Sequence, residues 1–139
     1  MHKLLLKHLV LFLVGGILYV LMEILWRGYS HWSMLMLGGI CFVLIGLINE
    51  VIPWEMPLWK QGIIAAAIIT TLEFITGCIV NLWLGWNVWD YSDVLLNFYG
   101  QICLPFFLLW VIIGIAAVVL DDWLRFWWFG EDKPSYRVF

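Results

Sequence analysis

Eight polar residues stand where an otherwise apolar chain has least reason to place them: Glu23, Arg27, His31, Glu73, Asn81, Asp90, Asn97 and Gln101. Glu23 and Glu73 fall inside long apolar runs, and an ionised carboxylate there is costly unless it is paired, hydrated or protonated. Arg27 follows Glu23 at the helical i,i+4 spacing of a direct ion pair. Glu73 has no basic residue within reach on its own helix. Its face carries Thr70, Gly77 and Asn81, a small and polar stripe suited to a bundle interior rather than to lipid. Arg27 or His31 is placed to meet it from the first hairpin. An intramembrane acid of this kind suits a substrate contact, a cation ligand or a proton carrier whose protonation is coupled to occupancy.

The stretch "NLWLGWNVWDYSDVLLNFYGQICLPFF", Asn81 to Phe107, adds the other polar groups. With Gly85 as a break and Trp83, Trp86 and Trp89 interleaved, it reads as an interfacial or re-entrant aromatic segment. Non-helical backbone at membrane depth needs protein or a wet cavity to satisfy it. Asp90, Tyr91 and Ser92 are expected over the mouth of the bundle. Asn97 and Gln101 are expected one turn apart at the start of the last helix, with Pro105 a turn later freeing a carbonyl near position 101. Each group also has a plainer role. His31 beside Trp32 fits an interfacial residue, Asp90 and Asp93 fit helix caps, and Asn49 and Glu50 near Lys60 fit a solvated helix end. No ligand spacing points to a metal, and no constellation points to catalysis or to a cofactor.

The elements that must position these residues follow from composition. The chain has 139 residues, 65% of them hydrophobic and 12% charged, with a mean hydropathy of +0.99, far from the balance of a soluble domain. A helical span needs about 20 apolar residues, and the runs 4–26, 32–52, 58–82 and 98–120 supply four. The reading is an all-α membrane protein, one four-helix transmembrane domain over 1–139 with an interfacial tail at 121–139. In that tail, "DDWLRFWWFGEDKPSYRVF", Trp123, Phe126 and Trp127 are expected to face lipid, Arg125 to sit near headgroups, and the helix to break at Gly130 and Pro134. The opening "MHKLLLKHLVLFLVGG" lacks a small-x-small cleavage site and is expected to remain as the first span.

Lys3, Lys7, Lys60, Arg125, Lys133 and Arg137 share one side if both termini are cytoplasmic, leaving Arg27 alone outside. A bacterial cytoplasmic membrane protein with both termini inside is therefore expected. The net charge of −3 is scattered over loops and tail and gives no footprint for nucleic acid. Cys41, Cys78 and Cys103 show no CxxC spacing and read as small packing residues. Most of the 11 Trp lie near span ends, as interfacial belts do. Gly15, Gly16, Gly38, Gly39, Gly46 and Gly114 are suited to close helix approach.

"LGGICFVLIG" from Leu37 and "YGQICLPFFL" from Tyr99 share a Gly-x-Ile-Cys core, and each follows a segment with a Glu and an aromatic polar turn. The outline fits two tandem helical hairpins in which Glu23 and Glu73 correspond. Phosphate loop, nucleophile elbow, His-Glu-x-x-His and dinucleotide fingerprint are all missing.

"EILWRGYSHWSMLMLGG", "EFITG", "NLWLGWNVWDYS", "GQICLPFFLLW" and "LDDWLRF" together resemble a bacterial family of small integral membrane proteins labelled ABC-transporter permeases of type IV. The similarity spans nearly the whole chain. It implies a transport component served by a separate ATPase subunit and carries over no substrate or catalytic residue. Four spans are few for a permease, so a homo-oligomer surrounded by membrane lipids is expected. Three functions compete: a permease-like transport component with its polar site in the outer half of the bundle; a ligand- or lipid-binding accessory protein that passes nothing; and, last, an intramembrane enzyme using Glu73 with His31 or Asp90. The first is preferred, and the chain is read as a non-enzyme.

Overall fold

The computed structural model describes residues 2–48, 56–131 and 133–134. Among the described residues, four α-helices carry the chain: α1 (His2–Arg27), α2 (Trp32–Gly46), α3 (Leu58–Gly77) and α4 (Leu104–Phe129). A π-helical turn, Cys78–Trp83, extends α3. The helical stretches Leu5–Arg27, Leu58–Trp83 and Leu104–Phe129 are long and apolar enough to cross a membrane, and Trp32–Gly46 is a shorter apolar helix. The protein is an all-α membrane protein. The end of the second expected span, with Asn49 and Glu50, lies outside the described residues, as does the end of the tail, including Arg137.

Apolar residues lie on every side of these helices. Leu25 is 86% exposed and Ile112 69% exposed, a pattern that is stable in hydrocarbon and not in water. Specificity comes from the small residues. α1 packs mainly on α2, and α3 mainly on α4. A Cβ on Gly15 would collide with Phe42 and stand 2.9 Å from the Gly38 carbonyl oxygen, and a Cβ on Gly114 would stand 2.7 Å from the Ala65 Cβ. Such close approach increases van der Waals contact where water offers no driving force. The result is two helical hairpins. α2 joins them by touching both α3 and α4, whereas α1 has no comparable packing against either. Met34, Leu37, Cys41 and Ile45 of α2 meet Ala65, Ala66 and Ile69 of α3 and Val118 of α4 in the core.

The last helix differs from expectation at both ends. It starts at Leu104 rather than at residue 98, because Pro105 falls in its first turn, where a missing N–H leaves nothing unpaired. Residues before it form a two-stranded antiparallel ladder, β1 (Asn97–Phe98) with β2 (Ile102–Cys103), in the register Asn97↔Cys103 and Phe98↔Ile102. Tyr99 and Gly100 both take positive φ, 55° and 70°, and Gln101 N–H donates to the Phe98 carbonyl at 3.1 Å, the pattern of a tight primed turn. Asn97 and Gln101 are therefore turn neighbours, not one helical turn apart, and Pro105 frees no mid-helix carbonyl.

At its other end α4 runs past residue 120 to Phe129 and stops at left-handed Gly130, φ 65°, as a C-terminal glycine should. Arg125 is not at the headgroups. Arg125 Nε lies 2.9 Å from Asp121 Oδ2, and these two are 3% and 0% exposed. Gly46 of α2 makes room for them, since a Cβ there would stand 2.5 Å from Asp121 Oδ1. Glu131 continues the cluster, 3.7 Å from Arg125 Nη1 and 2.9 Å from Lys7 Nζ on α1. Internal pairing at i,i+4 is what lets the helix carry these charges without breaking.

Candidate binding site beneath an aromatic cap

Residues 84–103 fold back over one end of the bundle as a cap, and the π-helical turn launches them. Leu84 N–H reaches the Ile79 carbonyl at 2.9 Å and Trp86 N–H reaches that of Val80 at 2.7 Å. This wide turn brings Asn81 inward. Its Nδ2 donates to Gln101 Oε1 at 2.7 Å, and its Oδ1 accepts from Val88 N–H at 2.7 Å. Trp89 Nε1 donates to the Gln101 carbonyl at 2.9 Å, and Gln101 Nε2 to that of Tyr99 at 2.9 Å. Gly77 leaves the space that the Gln101 side chain and Trp89 ring occupy. Arg27 Nη1 ties α1 to the same cap through the Val88 carbonyl at 2.7 Å. Asn81, Gln101 and Arg27 thus satisfy cap backbone that would otherwise be orphaned.

Three of the remaining sequence candidates serve local geometry. Asn97 Nδ2 donates to the carbonyls of Ser92 at 3.1 Å and Val94 at 2.9 Å, while its Oδ1 accepts from Gly100 N–H at 3.0 Å. Asp90 accepts from Ser92 N–H at 2.9 Å in an exposed turn, and the Ser92 hydroxyl and N–H together hold its carboxyl below the usual range. His31 caps α2, its Nδ1 accepting from Ser33 N–H at 3.2 Å, and its ring packs on Trp32 and Trp86 with centroids 5.5 and 5.6 Å away. It does not meet Glu73.

The two glutamates are solved differently. Glu23 Oε2 lies 2.7 Å from Arg27 Nε, each side chain about one-fifth exposed. Glu73, 2% exposed, accepts from Trp110 Nε1 at 3.1 Å, and among the described residues it has no ion-pair partner. Trp110 stacks on Tyr19, centroids 5.7 Å apart, and Tyr91 of the cap stacks on Phe106, centroids 4.8 Å apart. These two stacks, with Trp26 and Glu23, wall a cavity of about 340 Å³. A second cavity of about 200 Å³ shares Tyr19 and Trp110 and reaches Ile69, one turn before Glu73. Both lie along the seam where α1 and α4 barely pack. The carboxyls of Glu23 and Glu73 are within electrostatic reach of each other and of the Tyr91 phenol, which burial pushes up from its ordinary range.

Trp110 was not among the residues singled out from sequence, although a signal was present. Among the Trp residues it lies mid-span rather than near a span end, and a buried indole N–H needs an acceptor. Asp121, Asp122 and Arg125 were likewise read as tail, although their i,i+4 spacing matches that of Glu23 and Arg27. Cys41, Cys78 and Cys103 are free thiols. No group of described residues could hold a metal ion.

A family model described as "Putative ABC-transporter type IV" matches residues 10–125. No curated protein matches the chain, and no solved structure does.

Proposed function

We propose that this chain, a member of the type IV ABC-transporter family, is a membrane-embedded, permease-like transport subunit whose substrate site is the cavity between α1 and α4, with Glu73 behind its Trp110 wall. One observation carries this reading. A carboxyl group 2% exposed has one neutral donor, Trp110 Nε1, and no described counter-ion, and Trp110 itself lines a cavity large enough for a small ligand. Intramembrane acids without a fixed partner serve substrates, ions or protons, and a pocket of about 300–1,000 Å³ is the usual size for a small molecule. The role is binding and passage rather than bond-making.

In this reading both termini are cytoplasmic, in a bacterial cytoplasmic membrane, because Lys7, Lys60 and Arg125 gather at the end away from the cap. The cap then faces outward. The apolar flanks face lipid, several copies assemble, and a separate ATPase supplies the energy. The test is purification of the full chain from its own membranes, followed by native mass spectrometry and ATP hydrolysis. An associated ATPase whose substrate-stimulated turnover is lost in Glu73→Gln, with the assembly intact, is the expected result. A complex with no ATPase, or one indifferent to Glu73→Gln, refutes it.

A second reading, a binding subunit through which nothing passes, draws on the lining of the smaller cavity. That space ends on Phe42, Ile45 and Leu120, and the Asp121–Arg125 pair lies beyond it on α4. Flux across sealed vesicles separates the two, since only the first predicts any.

A further inference from the structure

The two hairpins leave a chemically asymmetric cavity, and we infer that its ligand is a lipophilic monocation, a quaternary ammonium or phosphonium or a protonated amine on an aromatic or branched apolar body. This rests on the transport-site reading above and specifies its substrate class. Charge, aromatic surface and access carry it.

The first is charge. Glu23 lines the cavity and Glu73 stands behind Trp110, outside the lining, while Arg27 brings one guanidinium that already contacts both Glu23 and the Val88 carbonyl. One carboxyl is left without a cation, so the site complements a single positive charge. An anion in the cavity would meet the Glu23 carboxylate of the lining, in a medium where like charges repel strongly.

The second is aromatic surface. Tyr19, Trp26, Tyr91, Phe106 and Trp110 supply five rings to the lining, and cation–π attraction is strongest for indole and increases when the cation is desolvated. Trp110 has a further advantage. Its N–H is donated to Glu73, and a donor bonded to a carboxylate is polarised by it, which enriches the ring that faces the ligand. Glu73 therefore acts on a bound cation through the indole that separates it from the cavity.

The third is access. The cavity lies on the seam between α1 and α4, two helices with little mutual packing, and a lipophilic ion concentrated in the membrane enters sideways without crossing the cap.

The test uses the full chain in nanodiscs and a shape-matched pair of probes, tetraphenylphosphonium and tetraphenylborate, in equilibrium dialysis. Saturable binding of the phosphonium ion at no less than tenfold higher affinity than the borate is expected. Glu73→Gln should weaken it about tenfold, Trp110→Phe a few-fold, and Asp93→Asn, which removes a negative charge from the cap outside the cavity, not at all. Equal affinity for the two probes, or full binding by both Glu73→Gln and Trp110→Phe, overturns the inference. Folding failure of either variant leaves the probe comparison on the natural sequence decisive. If the phosphonium ion fails while a co-purifying phospholipid is held at the seam and released by Tyr19→Ala, the site stands and the substrate class is wrong. If no ligand of any charge protects the seam from a photoreactive lipid, the transport-site reading falls with it.

Discussion

Each hairpin carries one glutamate near the cap, and the two are neutralised in different currencies. Glu23 in the first hairpin has a guanidinium 2.7 Å away on its own helix. Glu73 in the second has an indole N–H at 3.1 Å from the neighbouring helix. The first arrangement supplies its own counter-ion, although Arg27 Nη2 is buried without a hydrogen-bond partner among the described residues. The second leaves a buried carboxyl with one neutral donor and no described counter-ion. The two glutamates thus differ in what answers them, a guanidinium for Glu23 and an indole N–H for Glu73.

Removing that counter-ion should have the largest effect. Arg27→Met strips Glu23 of its partner and the Val88 carbonyl of its donor, and since the pair is about one-fifth exposed the cost falls at about 3 kcal/mol, the low end for a fully buried pair. The expected outcome is a corresponding fall in the denaturant midpoint in detergent. Adding Glu23→Gln should restore much of it, with the coupling read from the double-mutant cycle.

Trp110→Phe should come next. It keeps an aromatic ring but leaves Glu73 without its donor, at about 1–3 kcal/mol for an unsatisfied buried group. Indole fluorescence and thermal melting would report it, and a neutral result would show that water already serves Glu73. Glu73→Gln is expected to move the other way, with stability unchanged or slightly raised, because no fixed cation loses a partner. A large destabilisation would make Glu73 as structural as Glu23 and erase the contrast.

Smaller still is Asn81→Leu, which removes the amide bonds to Gln101 and Val88, each worth about 0.5–1.5 kcal/mol. It should loosen the cap, seen as faster hydrogen exchange across 84–103. Last is alkaline pH. Tyr91 has its phenol pushed up by burial, so its contribution is full below its unfolded value near pH 10 and is lost as pH rises beyond it. Tyr91→Phe should flatten that alkaline limb.

The helices were legible because a bilayer imposes length and hydropathy on a span, and little else produces such runs. The Glu23–Arg27 pair was legible because i,i+4 spacing is local. What was not legible depended on contacts between distant segments. Asn97 and Gln101 look like successive helix positions until Pro105 sets the start of α4 and Tyr99 and Gly100 turn the chain. Trp110 meets Glu73 across 37 positions, which no periodicity reveals. Asp121 and Arg125 looked like a solvated tail because Gly46, 75 positions before Asp121 by subtraction, is what admits them to the interior.

The π-helical turn at Cys78–Trp83 works as a phase adjuster on α3. Everything cytoplasmic of it, in the proposed orientation, keeps ordinary helical timing, and the wide turn resets the screw before the cap begins. A π-helical turn closes i→i+5 bonds and so holds about one residue more than an α-helical turn; regularising it to α-winding with no residue removed would swing the following side chains by about 100°, the angle an α-helix advances per residue. Asn81 would point elsewhere and the cap would lose its anchor, while α3 itself, with Glu73 and its core face, would be untouched. The molecule therefore holds a one-residue spacer by which the lid can be retimed independently of the site beneath it.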